Sequence, residues 1–293
     1  MLLESINRKY HYLLSHLLHF NINVLDNYAS LKLVISKDMS VIRLGDGELA
    51  LIRGESIPYQ KYDPTLASKL NSLLMKGTDS KILVCLPDVF ENIDRYNEKA
   101  RKFYYEYFFF QNKKLLRAVE NKNNFYGSTF ISRPYIDLKE KQNASKYFSE
   151  LKKLWQDKNV LIVEGRASRS GEGNDLFSNV RSLKRIIAPS TNAYFKINDI
   201  EKSILKYAQD RLILLMLGPT SKVIVDELKN AQNIKNQIID LGHIDSEYEW
   251  FKMGVTKKVR IPNKHTAEFS YDEDNVGIVE DKKYNKEIID LIN

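Results

Sequence analysis

The chain has 293 residues and is 43% hydrophobic, enough for a large core, and its 12 Gly and 7 Pro are too few for a collagen-like or low-complexity chain. The longest apolar run, residues 212–217, is far short of the ~20 that a membrane helix needs, so no transmembrane segment is expected. The net charge of +7, from 45 basic and 38 acidic residues spread along the chain, favours anionic partners: nucleic acid, an acidic membrane face or phosphate-bearing small molecules.

The first residues lack a signal-peptide pattern, because Ser15 and His16 interrupt the leucines and no small-residue cleavage site follows. Cys85 is single and sits in an apolar run, so it reads as a buried small residue. A reducing cytoplasm fits both features.

In chain order, residues 2–19 and 24–35 have helical spacing. Residues 41–44 form a short strand that runs into Gly45-Asp46-Gly47-Glu48 and a helix starting at 49–52. Helices are then expected over 66–75, 97–120, 147–155, 175–183, 200–208 and 223–230. Strands are expected over 82–86, 160–163, 185–188, 212–217 and 237–241. Strands alternating with helices predict an α/β fold, a mostly parallel sheet with helices on both faces. We see no fixed-period repeat and no Pro/Gly/Ser-rich linker. The expected organisation is a helical extension over 1–36 and one domain over 37–293.

Ligands of open parallel sheets bind outside the carboxyl ends of the strands. The loops there are 45–48, 87–88, 164–175, 189–193, 218–220 and 242–249, and most of the unusual polar residues fall in them.

In the first loop, Asp46 and Glu48 can converge on a hard cation such as Mg²⁺ or Mn²⁺. The plainer reading is a turn with Glu48 in the first turn of a helix, where the macrodipole favours it. In 164–175, Arg166 and Arg169 offer guanidinium groups to a diphosphate, and the amides near Gly171 and Gly173 offer an anion site. The alternative is a solvated surface loop with Asn174 or Asp175 as an N-cap. Arg181, Lys184 and Arg185 add charge nearby. Neither this segment nor Gly218–Lys222 has the spacing of a known nucleotide loop. In 242–249, His243 and three carboxylates follow a buried strand, and Asp245 and Glu249 share a helical face. One carboxylate there suits a general base, or Asp245 is simply a cap with Trp250 and Phe251 in the core. The aromatic run 103–110 reads as core, with its tyrosines also able to line an acceptor groove.

Five segments occur together in this order. They are Arg43-Leu44-Gly45-Asp46-Gly47-Glu48, Ser132-Arg133-Pro134-Tyr135, Val163-Glu164-Gly165 through Gly173-Asn174-Asp175-Leu176-Phe177, Leu217-Gly218-Pro219-Thr220, and Gly242-His243-Ile244-Asp245 with Glu247-Tyr248-Glu249-Trp250-Phe251. On these the chain resembles the bacterial GT-D-fold glycosyltransferases over about 41–265. The resemblance implies a Rossmann-like transferase that uses a UDP-sugar, typically UDP-glucose, with Mn²⁺ or Mg²⁺ on Asp46 and Glu48. It implies a glycan or glycoprotein acceptor, as in O-glycan extension on serine-rich repeat adhesins.

On that basis Arg43, Gly45, Arg169, Asn174, Lys184, Asn192, Gly218, Thr220 and His243 are expected to hold the donor. Asp245, Glu247, Glu249 and Glu268 are the candidate bases. A metal-dependent phosphatase or other phosphoester hydrolase is the alternative, since it uses the same carboxylates. Nucleic acid is not an expected partner, because the charges are interspersed and no RNA-binding motif is present. Oligomeric state is left open, a homo-oligomer included.

Overall fold

A computed structural model describes residues 11–12, 14–15, 17–120, 124–266, 269 and 280–293. The described strands are β1 (Ser40–Arg43), β2 (Ile82–Leu86), β3 (Gly127–Ser128), β4 (Asn159–Gly165), β5 (Ser182–Ala188), β6 (Leu212–Met216), β7 (Ile238–Asp240) and β8 (Ile288–Leu291). They form one sheet in the order β3-β2-β1-β7-β6-β4-β5-β8. Every pairing is parallel.

Alternate residues of the strands enter two separate cores. Ile42, Val84, Leu161 and Leu215 join one apolar cluster, and Val41, Cys85, Ile162 and Leu214 join the other. This is the period-2 geometry of a sheet buried on both faces. The first cluster is closed by α2 (Asp46–Ile52), α3 (Pro64–Lys76), α7 (Ile197–Tyr207) and α8 (Pro219–Asp226). The second is closed by α1 (Asn27–Lys37), α6 (Ala144–Lys152) and α9 (Ile244–Met253). Among the described residues, no helix is long and apolar enough to cross a membrane.

The six expected strands are present, with Cys85 fully buried. Four elements differ from expectation. Residues 175–183 are not a helix: they make successive turns, and β5 begins at Ser182. Their apolar spacing instead serves the core, with the Phe177 ring 5.1 Å from that of Trp155, whose indole N–H donates to Leu176 O. The expected helix 97–120 is broken into α4 (Glu98–Phe103), a wide π-turn over Tyr104–Phe108, a further turn at Phe109–Gln111, and α5 (Lys113–Val119). Strands β3 and β8, the latter following α10 (Lys282–Glu287), were not expected. Most of the expected first helix lies outside the described residues.

Candidate active site

The strand order reverses twice. From β1 the sheet grows outward through β2 and β3 on one side, with β7 on the other; from β4 it grows through β5 and β8 on one side, with β6 on the other. Crevices form at such reversals, beyond the carboxyl ends of the strands. A cavity stands at each, and Tyr59, Gly218, Gly242 and His243 line both, so the two are lobes of one cleft. All six loops named from the sequence contribute to its walls.

The acidic lobe, about 310 Å³, lies at the β1–β7 end and is lined by Arg43, Asp46, Glu48, Tyr104, Arg133, Asp137 and Lys222, among others. Asp46 opens α2 and its carboxylate is exposed to the cavity. The surrounding walls desolvate it and raise its pKa, with Glu48 adding to the rise and Arg133 opposing it. Glu48 is buried: one oxygen accepts from Gly45 N–H at 2.9 Å, which caps the helix, and the other lies 3.2 Å from Lys222 Nζ.

Behind them is a buried charge cluster. Asp240 ends β7 with no exposure; Arg43 donates to its carboxylate at 3.2 Å and its carbonyl at 3.0 Å, and Lys222 Nζ stands 2.9 Å away. Burial works against the Asp240 charge, but Arg43 and Lys222 outweigh it and lower its pKa. Gly242 makes the arrangement possible. Its φ is +48°, and a Cβ there would stand 2.0 Å from an Arg43 guanidinium nitrogen.

The second lobe lies at the β4–β6 end. Its walls combine apolar Pro189, Ala193, Met216, Leu217 and Pro219 with Ser168, Ser170, Ser190, Asp245, Ser246 and His265. Tyr59 stands between the lobes, its ring 3.0 Å from where a Cβ on Gly218 would be.

The expected site residues divide into two groups. Arg43, Gly45, Asp46, Glu48, Gly218, His243 and Asp245 line the cleft. The others do not. Arg169 is buried in an ion pair with Glu172 and lies over the Tyr284 ring, turned towards the carboxyl-terminal helix. Lys184 sits in the amino half of β5, opposite Leu161, away from the carboxyl ends. Thr220 is fully buried within α8. Asn192 stitches the Tyr59 loop, accepting from Lys61 N–H at 2.7 Å and donating its own N–H to Tyr59 O.

Asn174 donates to Asp245 and Glu249, and Lys264 bridges the same two carboxylates at 2.8 and 2.7 Å. Asp245 also accepts from Gly171 N–H, so its oxygens are committed to holding the 164–175 loop. Glu247 is wholly buried, and burial pushes its pKa up to about 7. Glu268 lies outside the described residues. Sequence reading missed Tyr59, Asp137, Lys222 and Asp240 as parts of this site. Arg133 stood in a recognised motif without a task.

The donor set can be tested against a divalent cation. Two carboxylates supply hard oxygen, and among the described residues no group of three or more His, Cys, Asp or Glu comes together. Mg²⁺ is commonly held by one or two carboxylates, keeping water and phosphate oxygens as its other ligands. Asp46, exposed to the cavity, fits such an ion; Glu48 stands two residues on as a second carboxylate, its oxygens shared with Gly45 N–H and Lys222.

An all-parallel sheet with a polar two-lobed cleft at its strand-order reversals is the architecture of α/β proteins whose ligands sit along the carboxyl edge. The sequence model of the glycosyltransferase GT-D fold matches residues 41–269, and the chain belongs to that family.

It is 46% identical over 268 residues, 92% of its length, to "Probable glycosyl transferase Gly" of Streptococcus gordonii. It is 42% identical over 260 residues, 89% of its length, to "Glycosyltransferase GlyD" of Streptococcus pneumoniae serotype 4. The chain spans 38% and 31% of the length of these two relatives. A solved structure described as a new glycosyltransferase (DUF1792) from Streptococcus sanguinis superposes with a TM-score of 0.89 at 46% identity, covering 93% of this chain and all of that one. Another, described as the highly conserved domain of unknown function 1792 with a distinct glycosyltransferase fold, superposes at 0.88 with 47% identity, covering 99% of this chain and all of that one.

Proposed function

We propose that the chain transfers a hexose, glucose in the first instance, from a UDP-sugar to a hydroxyl of a glycan acceptor. The acceptor would be an O-glycan growing on a bacterial surface adhesin, or a surface polysaccharide, built in the cytoplasm. The two-lobed cleft is the observation that carries this reading. The apolar, serine-bearing lobe suits a nucleoside, and the acidic lobe suits a metal-bound diphosphate and its sugar. The family and its glycosyltransferase relatives support the class of reaction.

Asp46 and Glu48 are the residues that would hold Mg²⁺ or Mn²⁺, which when bound offsets the charge growing on the departing diphosphate. Lys222 and Arg43 act from behind, keeping Glu48 and the Asp240 loop in one arrangement. Positive φ at Gly218 and Gly242 brings bare backbone to the junction of the lobes, where the diphosphate would cross. Tyr104, from the aromatic segment, gives the acidic lobe one aromatic wall on which a sugar ring could pack.

The test is turnover of a nucleotide-sugar panel by the purified chain with Mn²⁺, with EDTA, and with glycan acceptors added. The expected result is UDP release from UDP-glucose that EDTA abolishes and an acceptor accelerates. Cleavage of simple phosphate esters with no turnover of any nucleotide-sugar would overturn the reading in favour of a hydrolase.

A further inference from the structure

The motif Ser132-Arg133-Pro134-Tyr135 has a place in the fold that the reaction as described leaves unused. It begins on the last residue of a short 3₁₀ turn, Thr129–Ser132, beyond the carboxyl end of β3, and Thr129, Phe130, Arg133 and Asp137 all line the acidic lobe. The loop is gripped from beneath. Glu247, with no exposure, accepts from Tyr135 N–H and Ile136 N–H, both at 3.0 Å, through one oxygen. Its other oxygen lies 3.6 Å from Arg133 Nε. Lys141 Nζ donates to the carbonyls of Tyr135, Ile136 and Leu138 at 2.8, 3.1 and 3.0 Å. So many bonds to one short loop fix where Arg133 stands.

Three basic side chains line this lobe: Arg43, Lys222 and Arg133. The side chains of Arg43 and Lys222 are 11% and 3% exposed and spend their donors on Asp240, Glu48 and backbone carbonyls. Arg133 is 28% exposed, 3.2 Å from Asp137, and close enough to Asp46 for its charge to be felt there. A guanidinium presented at a cavity edge, beside a carboxylate suited to a metal, is matched to the paired oxygens of a diphosphate.

We propose that Arg133 contacts the diphosphate of the nucleotide-sugar, and that Glu247 is a positioning residue that holds the loop carrying it. This rests on the reading of the cleft as a nucleotide-sugar site. It also gives Glu247 a task other than proton abstraction: one carboxylate oxygen is spent on two backbone amides, the other faces Arg133, and the side chain has no exposure.

The test is calorimetric titration of the full chain with UDP and, separately, uridine, in the presence of Mn²⁺, alongside kcat and KM for UDP-glucose. Arg133→Met should lose about tenfold to a hundredfold in UDP affinity and leave uridine affinity unchanged, the value of a charge-assisted contact. Arg133→Lys should recover part of the loss. Glu247→Gln, whose amide oxygen still accepts from both backbone N–H groups while its NH2 replaces the oxygen facing Arg133, should weaken UDP binding less than Arg133→Met does and keep kcat at saturating UDP-glucose within about threefold of the unmodified chain. Glu247→Ala should reproduce the Arg133→Met pattern, and should add little when combined with it.

UDP affinity that Arg133→Met leaves intact overturns the contact. Loss of kcat by a thousandfold or so in Glu247→Gln, with UDP affinity retained, overturns the positioning role in favour of a base. If Glu247→Ala does not fold, the Gln variant and the two Arg133 variants still decide the question. Failure of the unmodified chain to bind UDP overturns the function proposed for the cleft; binding that is blind to Arg133 overturns this proposal alone.

Discussion

The Lys222 ammonium stands 3.2 Å from Glu48 Oε1, although the two residues belong to helices that follow different strands of the sheet. The same nitrogen reaches Asp240 at 2.9 Å and donates to the Gly218 carbonyl at 2.9 Å. One ammonium thus faces three oxygens, and the loops after β1, β6 and β7 are tied at one point. Removing one member of a buried charged set leaves the others uncompensated, at about 3–5 kcal/mol. Lys222→Met should therefore lower the free energy of unfolding in urea by roughly that amount, and an unchanged midpoint would show that the cluster does not hold the loops.

Asp46 and Glu48 should respond differently to neutralisation. Asp46→Asn changes a cavity-facing group, so the unfolding midpoint should stay put while Mn²⁺-dependent transfer falls about a hundredfold or more. Glu48→Ala removes both the cap on Gly45 N–H and the partner of Lys222. It should lose transfer and also about 1–3 kcal/mol of stability. Manganese binding followed by electron paramagnetic resonance separates the two causes: equal Mn²⁺ affinity in the Asp46→Asn variant and the unmodified chain would remove Asp46 from the metal site.

Gly242→Ala is expected to be among the most damaging small substitutions. The backbone there sits at φ +48°, and the new methyl would collide with Arg43. Strain and displacement of a buried ion pair together should cost about 2 kcal/mol or more. Thermal unfolding checks this, and a melting temperature equal to that of the unmodified chain would refute it.

Stability should fall as pH rises through neutrality. Burial raises Glu247 from 4.5 to about 7; burial, then the facing Glu227, raises Glu201 to about 8. Between the ordinary glutamate value and these raised values the folded chain holds protons that the unfolded chain has released, so each contribution is full below the ordinary value and lost on the way up. Asp240 has the opposite sign. Its lowered pKa adds stability above the ordinary aspartate range, and this is lost only as strong acid protonates it. Urea midpoints measured at several pH values should decline from about pH 5 to about pH 8, and Glu201→Gln should flatten the upper part of that decline. A rising profile would contradict the protonated state of both glutamates.

How much of this was legible in the sequence depended on whether a feature is local. Strands β2 and β6 are apolar runs stopped by Pro87-Asp88 and by Gly218-Pro219, so they could be read directly. Strand β3 is only Gly127–Ser128, where a Cβ on the glycine would lie 2.7 Å from Leu83; nothing local announces it. β8, Ile-Ile-Asp-Leu, is a short apolar run behind the charged segment 281–287, and it pairs with β5 only through the fold. The turns over 175–183 imitate a helix because Leu176, Phe177, Val180 and Leu183 recur at helical intervals while the chain turns without winding.

The site divides in the same way. Asp46 and Glu48 are two apart and announce themselves. The pairing of Arg43 with Asp240, and of Lys222 with Glu48 and Asp240, joins residues far apart in sequence and appears only once the strands are in order. Arg169 and Lys184 were placed near the donor by sequence proximity, and each is drawn elsewhere, one by Glu172 and Tyr284 and the other by its position in the strand.

Because all eight described strands run in one direction, the two-lobed cleft opens at one rim of the sheet, beyond the carboxyl ends of the strands. On the opposite rim, the turn at Gln209-Asp210 before β6 is exposed and lies at the far end of its strand from the cleft. A fluorophore or surface tether attached there would leave the mouth of the cleft unobstructed, so the chain can be immobilised for single-molecule or sensor work with its working edge facing the solution.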